Sequence, residues 1–252
     1  MSYSSLNTAR SAISAVLKLD NKPAGQHDLV VKFMKGIFNS RPSVPKHNFI
    51  WDTKIVLNYL ASLSPIHSLS LKMLTLKTVT LLLLVSSQRI QTLHLTDLDN
   101  VKFNNDCVQI HVTKLLKQSR PSFHLAPIFL KKFVDNSELC IVTYLKEYIK
   151  KTSELRKSQT QLFISYHPPY KKVGKETLSR WVRIILAQAG IDISVFKTHS
   201  TRSASVSKAA KFAPISSILN LGGWSSDCTF AKHYNKPIVN DISHAMLRET
   251  LA

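Results

Sequence analysis

Apolar residues recur at helical spacing along most of the chain. Leu6, Ala9, Ile13, Val16 and Leu17 fall on one face, Leu29, Val30, Phe33, Ile37 and Phe38 on a second, and Ile55, Val56, Tyr59 and Leu60 on a third. Between the second and third lies RPSVPKHN, whose two prolines forbid a continuous helix. The stretch Ser62 to Ser70, with Pro65 inside it, reads as a linker. The expected organisation is a small helical domain over residues 1–63 and a larger domain over 66–252.

The larger part opens with a predicted helix from about Leu69 to Ser87. Its apolar run Leu81 to Val85 falls well short of the ~20 residues a membrane span needs, so it reads as a core helix and no membrane is expected as a partner. The period then shifts to two over Val101–Phe103, Cys107–Val112 and Ser122–Leu125, with Asn104-Asn105-Asp106 as a turn, which predicts a small antiparallel sheet. Helical spacing returns at Glu138–Lys151, Lys175–Ala189, His199–Phe212 and Pro214–Leu219, where Pro214 suits a first helical position. A short helix is expected from Ser226 or Asp227 to about Tyr234, and a last amphipathic one over Ile238–Leu251. The fold class is therefore mainly α with a small antiparallel β-sheet (α+β).

Charge narrows the function. Thirty-four Lys and Arg stand against fifteen Asp and Glu, a formal charge of +19 over 252 residues. Such a chain repels itself when compact and suits a polyanionic partner, of which double-stranded DNA is the usual one. Three cysteines, widely spaced and without a CxxC pair, argue against a zinc ribbon or a disulfide framework and for a reducing, intracellular compartment. The start, MSYSSLNTAR, has no apolar signal core. Asp97, Asp99 and Asp106 form the one close acidic grouping and read as loop and turn residues. A two-metal site is thus not expected, and neither metal nor cofactor is called for.

Several residues carry possible chemistry. His199 and Arg202 stand at i and i+3, which puts imidazole and guanidinium on one helix face, able to hold one phosphate. Trp224 follows the turn Gly222-Gly223, and Tyr234 comes ten residues after it. Upstream, Arg89 leaves the apolar helix in Ser-Ser-Gln-Arg-Ile, and Lys114 closes the strand ending Val112-Thr113, with Lys117 as its rival. Each taken alone has a plain structural explanation, such as a helix-end cation for Arg89 or a turn lysine for Lys114.

In this order and in these contexts, Arg89, Lys114, His199-x-x-Arg202, Trp224 and Tyr234 resemble the catalytic pattern of the tyrosine recombinase (phage integrase) family. The resemblance covers about 66–240 and makes residues 1–63 similar to that family's small helical, SAM-like core-binding domain. The phrases FMKGIFNSRP, SQRIQTLHL and GGWSSDCTFAKHYNKPI resemble the recombinases of DIRS-type retrotransposons most closely. The family resemblance implies a site-specific recombinase that cleaves and rejoins DNA through a covalent 3′-phosphotyrosine at Tyr234. Arg89, Arg202 and Trp224 would hold the phosphate oxygens, His199 would accept the phenolic proton, and Lys114 would protonate the leaving 5′ oxygen. It implies DNA contacts from Lys32, Lys35, Arg41, Lys46, Lys171 and Lys172, and a homo-tetramer on DNA in which residues 238–251 dock in trans, although that segment equally suits covering its own core. A eukaryotic mobile element implies the nucleus. A catalytically inactive or domesticated DNA-binding relative is the alternative. Two features depart from the family pattern: Thr92 stands where many members have a carboxylate, and the Trp-to-Tyr interval is ten rather than nine.

Overall fold

The computed structural model describes residues 1–42, 49–117, 119–121, 124–224, 230–231, 234 and 236–238. Lys46, Cys228, His233 and all but the first residue of the 238–251 segment lie outside the described residues. The chain divides into two compact units, Met1–Asn48 and Phe49–Ala252.

In the first unit, α1 (Tyr3–Val16) starts at Ser2, whose hydroxyl accepts from the Ser5 amide at 3.2 Å. A hairpin follows, β1 (Lys18–Leu19) and β2 (Lys22–Pro23), turning through Asp20 and Asn21 with φ of 49° and 60°. Two left-handed residues in succession make the turn that matches strand twist, and Asp and Asn tolerate it best after glycine. The helical period of the neighbouring segments conceals this hairpin in the sequence. Helix α2 (Asp28–Ser40) completes the unit, with Tyr3 and Phe38 edge to face at 5.3 Å. Leu29 and Phe33 on α2 stay exposed.

In the second unit, α3 (Thr53–Ser62) is capped by Asp52, which accepts from the Lys54 amide at 2.9 Å. Val56 and Leu60 are wholly buried in one cluster with Leu74, Leu76 and Val79. The division at Asn48/Phe49 therefore differs from the expected boundary at 63/66. The segment 62–70 lies inside the large unit because α3 supplies part of that unit's core. Helix α4 (Leu71–Ser86) is buried on all sides from Leu74 to Leu84 and packs against α6 (Ile141–Thr152), α7 (Lys175–Gln188) and α8 (Ser200–Ala209). Of its buried hydroxyls, Thr75 and Thr78 donate to the carbonyls of Leu71 and Leu74 within the helix, while Thr80 Oγ1 meets no partner among the described residues. Lys77, also fully buried, donates to the Leu63 carbonyl at 2.8 Å and to the Tyr144 hydroxyl at 2.6 Å, which in turn donates to Glu138 at 2.7 Å. Burial outweighs the Glu138 charge and pulls the Lys77 ammonium down to about 8.

After α5 (Ile90–His94) comes a three-stranded antiparallel sheet, β3 (Val101–Phe103), β4 (Cys107–Ile110) and β5 (Ile128–Lys131), in that spatial order. The third strand thus lies at 128–131 and not at the expected Ser122–Leu125, of which His124 and Leu125 are described and are not strand. Ile128 and Leu130 alternate inward against Ile110 and Val108, a pairing set across a long connection rather than by local pattern. Helix α9 (Ile215–Gly222) begins one residue later than expected: Pro214 has ψ of 140° and serves as the cap. No helix among the described residues is long and apolar enough to cross a membrane.

Candidate active site

Two chain reversals, at the ends of α4 and α9, build the site around α8. At the end of α4, Ser87 adopts a left-handed conformation with φ of 52° and is buried. This turns its carbonyl inward, where the Arg202 Nη1 donates to it at 2.8 Å. At the end of α9, the Gly222 carbonyl accepts from Arg202 Nη2 at 2.7 Å. Arg202 is only 1% exposed, so two backbone carbonyls orient its guanidinium without neutralising it. Thr92, also buried, donates to the Gln88 side chain, and Gln88 donates to the Leu221 carbonyl. The support that a carboxylate at position 92 would give is replaced here by main-chain carbonyls and an amide.

Trp224 covers the guanidinium: Arg202 Cζ lies 3.7 Å from the indole centroid, a cation–π contact in a desolvated site. The two glycines of the turn are needed for this. Gly223 has φ of 68°, which a side chain rarely tolerates. A Cβ on Gly222 would fall 1.7 Å from Trp224 Cζ3. Tyr234 packs edge-on against Trp224 at 4.8 Å and lies 5.3 Å from the Arg202 guanidinium. Its hydroxyl is 3.5 Å from Nε2 of His199, which stands immediately before α8. The longer interval between Trp224 and Tyr234 therefore still brings the phenol to His199 and Arg202.

Electrostatics follow from this crowding. Burial holds the His199 imidazole below its ordinary range, reinforced by the charges of Arg202, Arg89, Lys117 and Lys236. A neutral imidazole beside a phenol is set to accept a proton. Burial, and then the charge of Arg89, brings Arg202 down to about 9, with Tyr234 acting in the opposite sense. Arg202 Nε and Trp224 Nε1 are buried donors with no hydrogen-bond acceptor among the described residues. Leaving a buried donor unmet costs ~1–3 kcal/mol, and both belong to a site rich in positive charge. Arg89, His199 and Arg202 line a cavity of about 530 Å³ together with Lys175, Arg180 and Arg183 of α7.

The lysines separate. Lys114 pairs with Asp97 at 2.7 Å and lines another cavity, of about 710 Å³, with His94, Gln159 and Lys172. Lys117 is the lysine of the 111–117 segment whose charge reaches His199, and its amide donates to Gln91 at 3.3 Å. Of the expected DNA contacts, Lys32, Lys35, Arg41, Lys171 and Lys172 are all exposed. Arg180 and Arg183 were not singled out in the sequence; their i, i+3 spacing on a helix otherwise buried through Trp181 and Val182 was the available signal.

Residues 59–240 match the model of the phage integrase family. The chain belongs to that family. No curated protein sequence matches closely enough to count as a relative. Several solved recombinases and integrases share the fold. The Tn1549 transposon integrase in complex with transposon right end DNA has a TM-score of 0.63 at 13% identity, over 100% of this chain and 81% of that one. XerA recombinase gives 0.57 at 14% identity, over 99% and 82%. A lambda integrase dimer bound to a COC′ core site gives 0.53 at 17% identity, over 95% and 75%. At such identities the likeness is one of fold, and within this phage integrase family member the assignment of roles rests on the geometry above.

Proposed function

We propose that this phage integrase family member cleaves and rejoins DNA through a covalent bond between Tyr234 and a 3′ phosphate. One observation carries the reading: a tyrosine hydroxyl, a neutral imidazole and two buried donors with no acceptor among the described residues converge beside a cavity lined by arginines. A phosphodiester under attack gains charge on its nonbridging oxygens, and in this reading Arg89, Arg202 Nε and Trp224 Nε1 take it up. The Tyr234 oxygen forms a bond to phosphorus as its proton passes to His199 Nε2. The bond from phosphorus to the 5′ oxygen breaks, and that oxygen takes a proton from a lysine. Between the two candidates the placement favours Lys117, since Lys114 is engaged with Asp97. Reversal by a 5′ hydroxyl of another strand restores the backbone, because the phosphotyrosine conserves the bond energy.

The partner in this reading is duplex DNA, with the basic unit Met1–Asn48 and the exposed Lys171 and Lys172 supplying phosphate contacts. The crystal structure of the lambda integrase dimer bound to a COC′ core site supports assembly on DNA; a tetramer, and a trans contact from 238–251, are parts of the same proposal. The resemblance of sequence phrases to DIRS-type recombinases is what supports proposing a mobile-element origin and a nuclear setting.

The test is incubation with nicked duplex DNA in EDTA, followed by a denaturing gel. A covalent adduct is expected from the unaltered chain and none from Tyr234→Phe. An adduct that survives Tyr234→Phe refutes the nucleophile, and tight binding without any adduct favours an inactive DNA-binding relative. A substrate with sulfur in place of the bridging 5′ oxygen, whose leaving group needs no proton, is expected to restore cleavage to Lys117→Ala.

A further inference from the structure

Tyr234 is held by its own chain at two stations, and neither belongs to the set of phosphate-binding groups. The first is Ser207 on α8, five residues beyond Arg202 and 4% exposed. Its hydroxyl donates to the carbonyl of Tyr234 at 2.8 Å and accepts from the amide of Lys236 at 3.0 Å. One side chain thus grips the backbone on both sides of residue 235. The second station lies just beyond. The Ile50 amide donates to the Pro237 carbonyl at 2.9 Å, and Ile50 and Ile238 form a parallel bridge with both side chains buried. The next residue, Trp51, is buried and donates from its indole to the Ser200 hydroxyl at 2.8 Å, beside His199.

We propose that Ser207, with the Ile50–Ile238 splice behind it, is the positioning device of the nucleophile: it fixes the Tyr234 backbone to the helix that carries Arg202 and starts just after His199, so that the phenol is held at one distance from the phosphate. The inference rests on the proposed phosphotyrosine chemistry. Its physical basis is the distance sensitivity of attack. On its N-terminal side the Tyr234 amide donates to the Phe230 carbonyl at 2.8 Å, a single helical turn. Without a fixed backbone the phenol would sweep positions several ångströms apart, and a misplacement of ~1 Å lowers a rate by about 10²-fold. Ser207 touches neither phosphate nor reacting oxygen, so it is a positioning residue.

Two measurements on the full chain test this. Ser207→Ala is expected to slow adduct formation on nicked duplex by about 10- to 100-fold while duplex affinity stays within about twofold, and Ser207→Thr, which keeps the hydroxyl, is expected to recover most of the rate. In a Tyr234→Phe background, hydrogen peroxide serves as a free nucleophile: its conjugate base bonds to phosphorus, the bond to the 5′ oxygen breaks, and that oxygen takes a proton. Peroxide cleavage is expected to be the same with and without Ser207→Ala, because the phosphate-binding groups are untouched. Ser207→Ala cleaving at the unaltered rate overturns the inference. So does a loss of peroxide cleavage equal to the loss of tyrosine cleavage, which would make Ser207 a general support of the pocket. Failure of the unaltered chain to form any adduct is a separate result, and it refutes the phosphotyrosine reading together with this one.

Discussion

Arg202 is made useful by what surrounds it at atomic scale. Its guanidinium is held flat between the carbonyls of Ser87 and Gly222 while Trp224 closes one face. Both carbonyls exist in the right place because the backbone reverses there, at left-handed Ser87 and at the Gly222-Gly223 turn. Gly222 has no room for a methyl group, so Gly222→Ala forces the indole off the arginine. Overpacking of this kind costs about 1–3 kcal/mol. The expected outcome is a lower melting temperature and adduct formation slowed at least ~10-fold, since an arginine fork out of position loses transition-state stabilisation, with duplex affinity nearly unchanged. A melt, a binding isotherm and a timed gel on the same variant check all three. Arg89, His199, Arg202, Trp224 and Tyr234 could be picked out as candidates because residue type and order along the chain carry the pattern. Ser207 was not, since a serine inside a helix has no distinguishing neighbours.

Helices α3 and α4 explain why the domain boundary eluded the sequence. Pro65 and the serines around it look like a linker, yet the segment from Thr53 to Ser62 carries two wholly buried residues, Val56 and Leu60, on the face turned to α4. Leu60→Ala is expected to destabilise the large unit by about 2–5 kcal/mol, as much as Leu74→Ala, because each leaves a cavity in one continuous core. Truncating exposed Phe33 on α2 is expected to change stability by no more than about 0.5 kcal/mol. Urea melts of the three variants separate the cases. A Leu60→Ala cost below about 1 kcal/mol would return α3 to the small unit.

At the scale of the whole chain, +19 charges govern encounter with DNA rather than chemistry. Duplex affinity is expected to fall steeply with salt, by about 10³–10⁵ between 50 and 200 mM if six to ten phosphates are neutralised. Replacing both Lys32 and Lys35 by alanine is expected to reduce the slope of log affinity against log salt by about two. Tyr234→Phe is expected to leave that slope unaltered. Binding isotherms over a salt series measure both, and an unchanged slope for the double variant would remove the small unit from the contact.

The sequence by itself determined the class of the fold, the family and a candidate set of chemical groups, because helical and strand periods are local and the order of Arg, His-x-x-Arg, Trp and Tyr survives in one dimension. It misplaced the third strand, and it left open the choice between Lys114 and Lys117 and the grip on Tyr234. Lys114 and Lys117 are three residues apart in one loop, and only the position of Asp97 in space draws one of them aside. The third strand at 128–131 was chosen by the exposed edge of β4 and not by its own alternation. Ser207 reaches the Tyr234 backbone across 27 residues of chain. Each of these depends on which distant surfaces meet, and that is settled by packing in three dimensions.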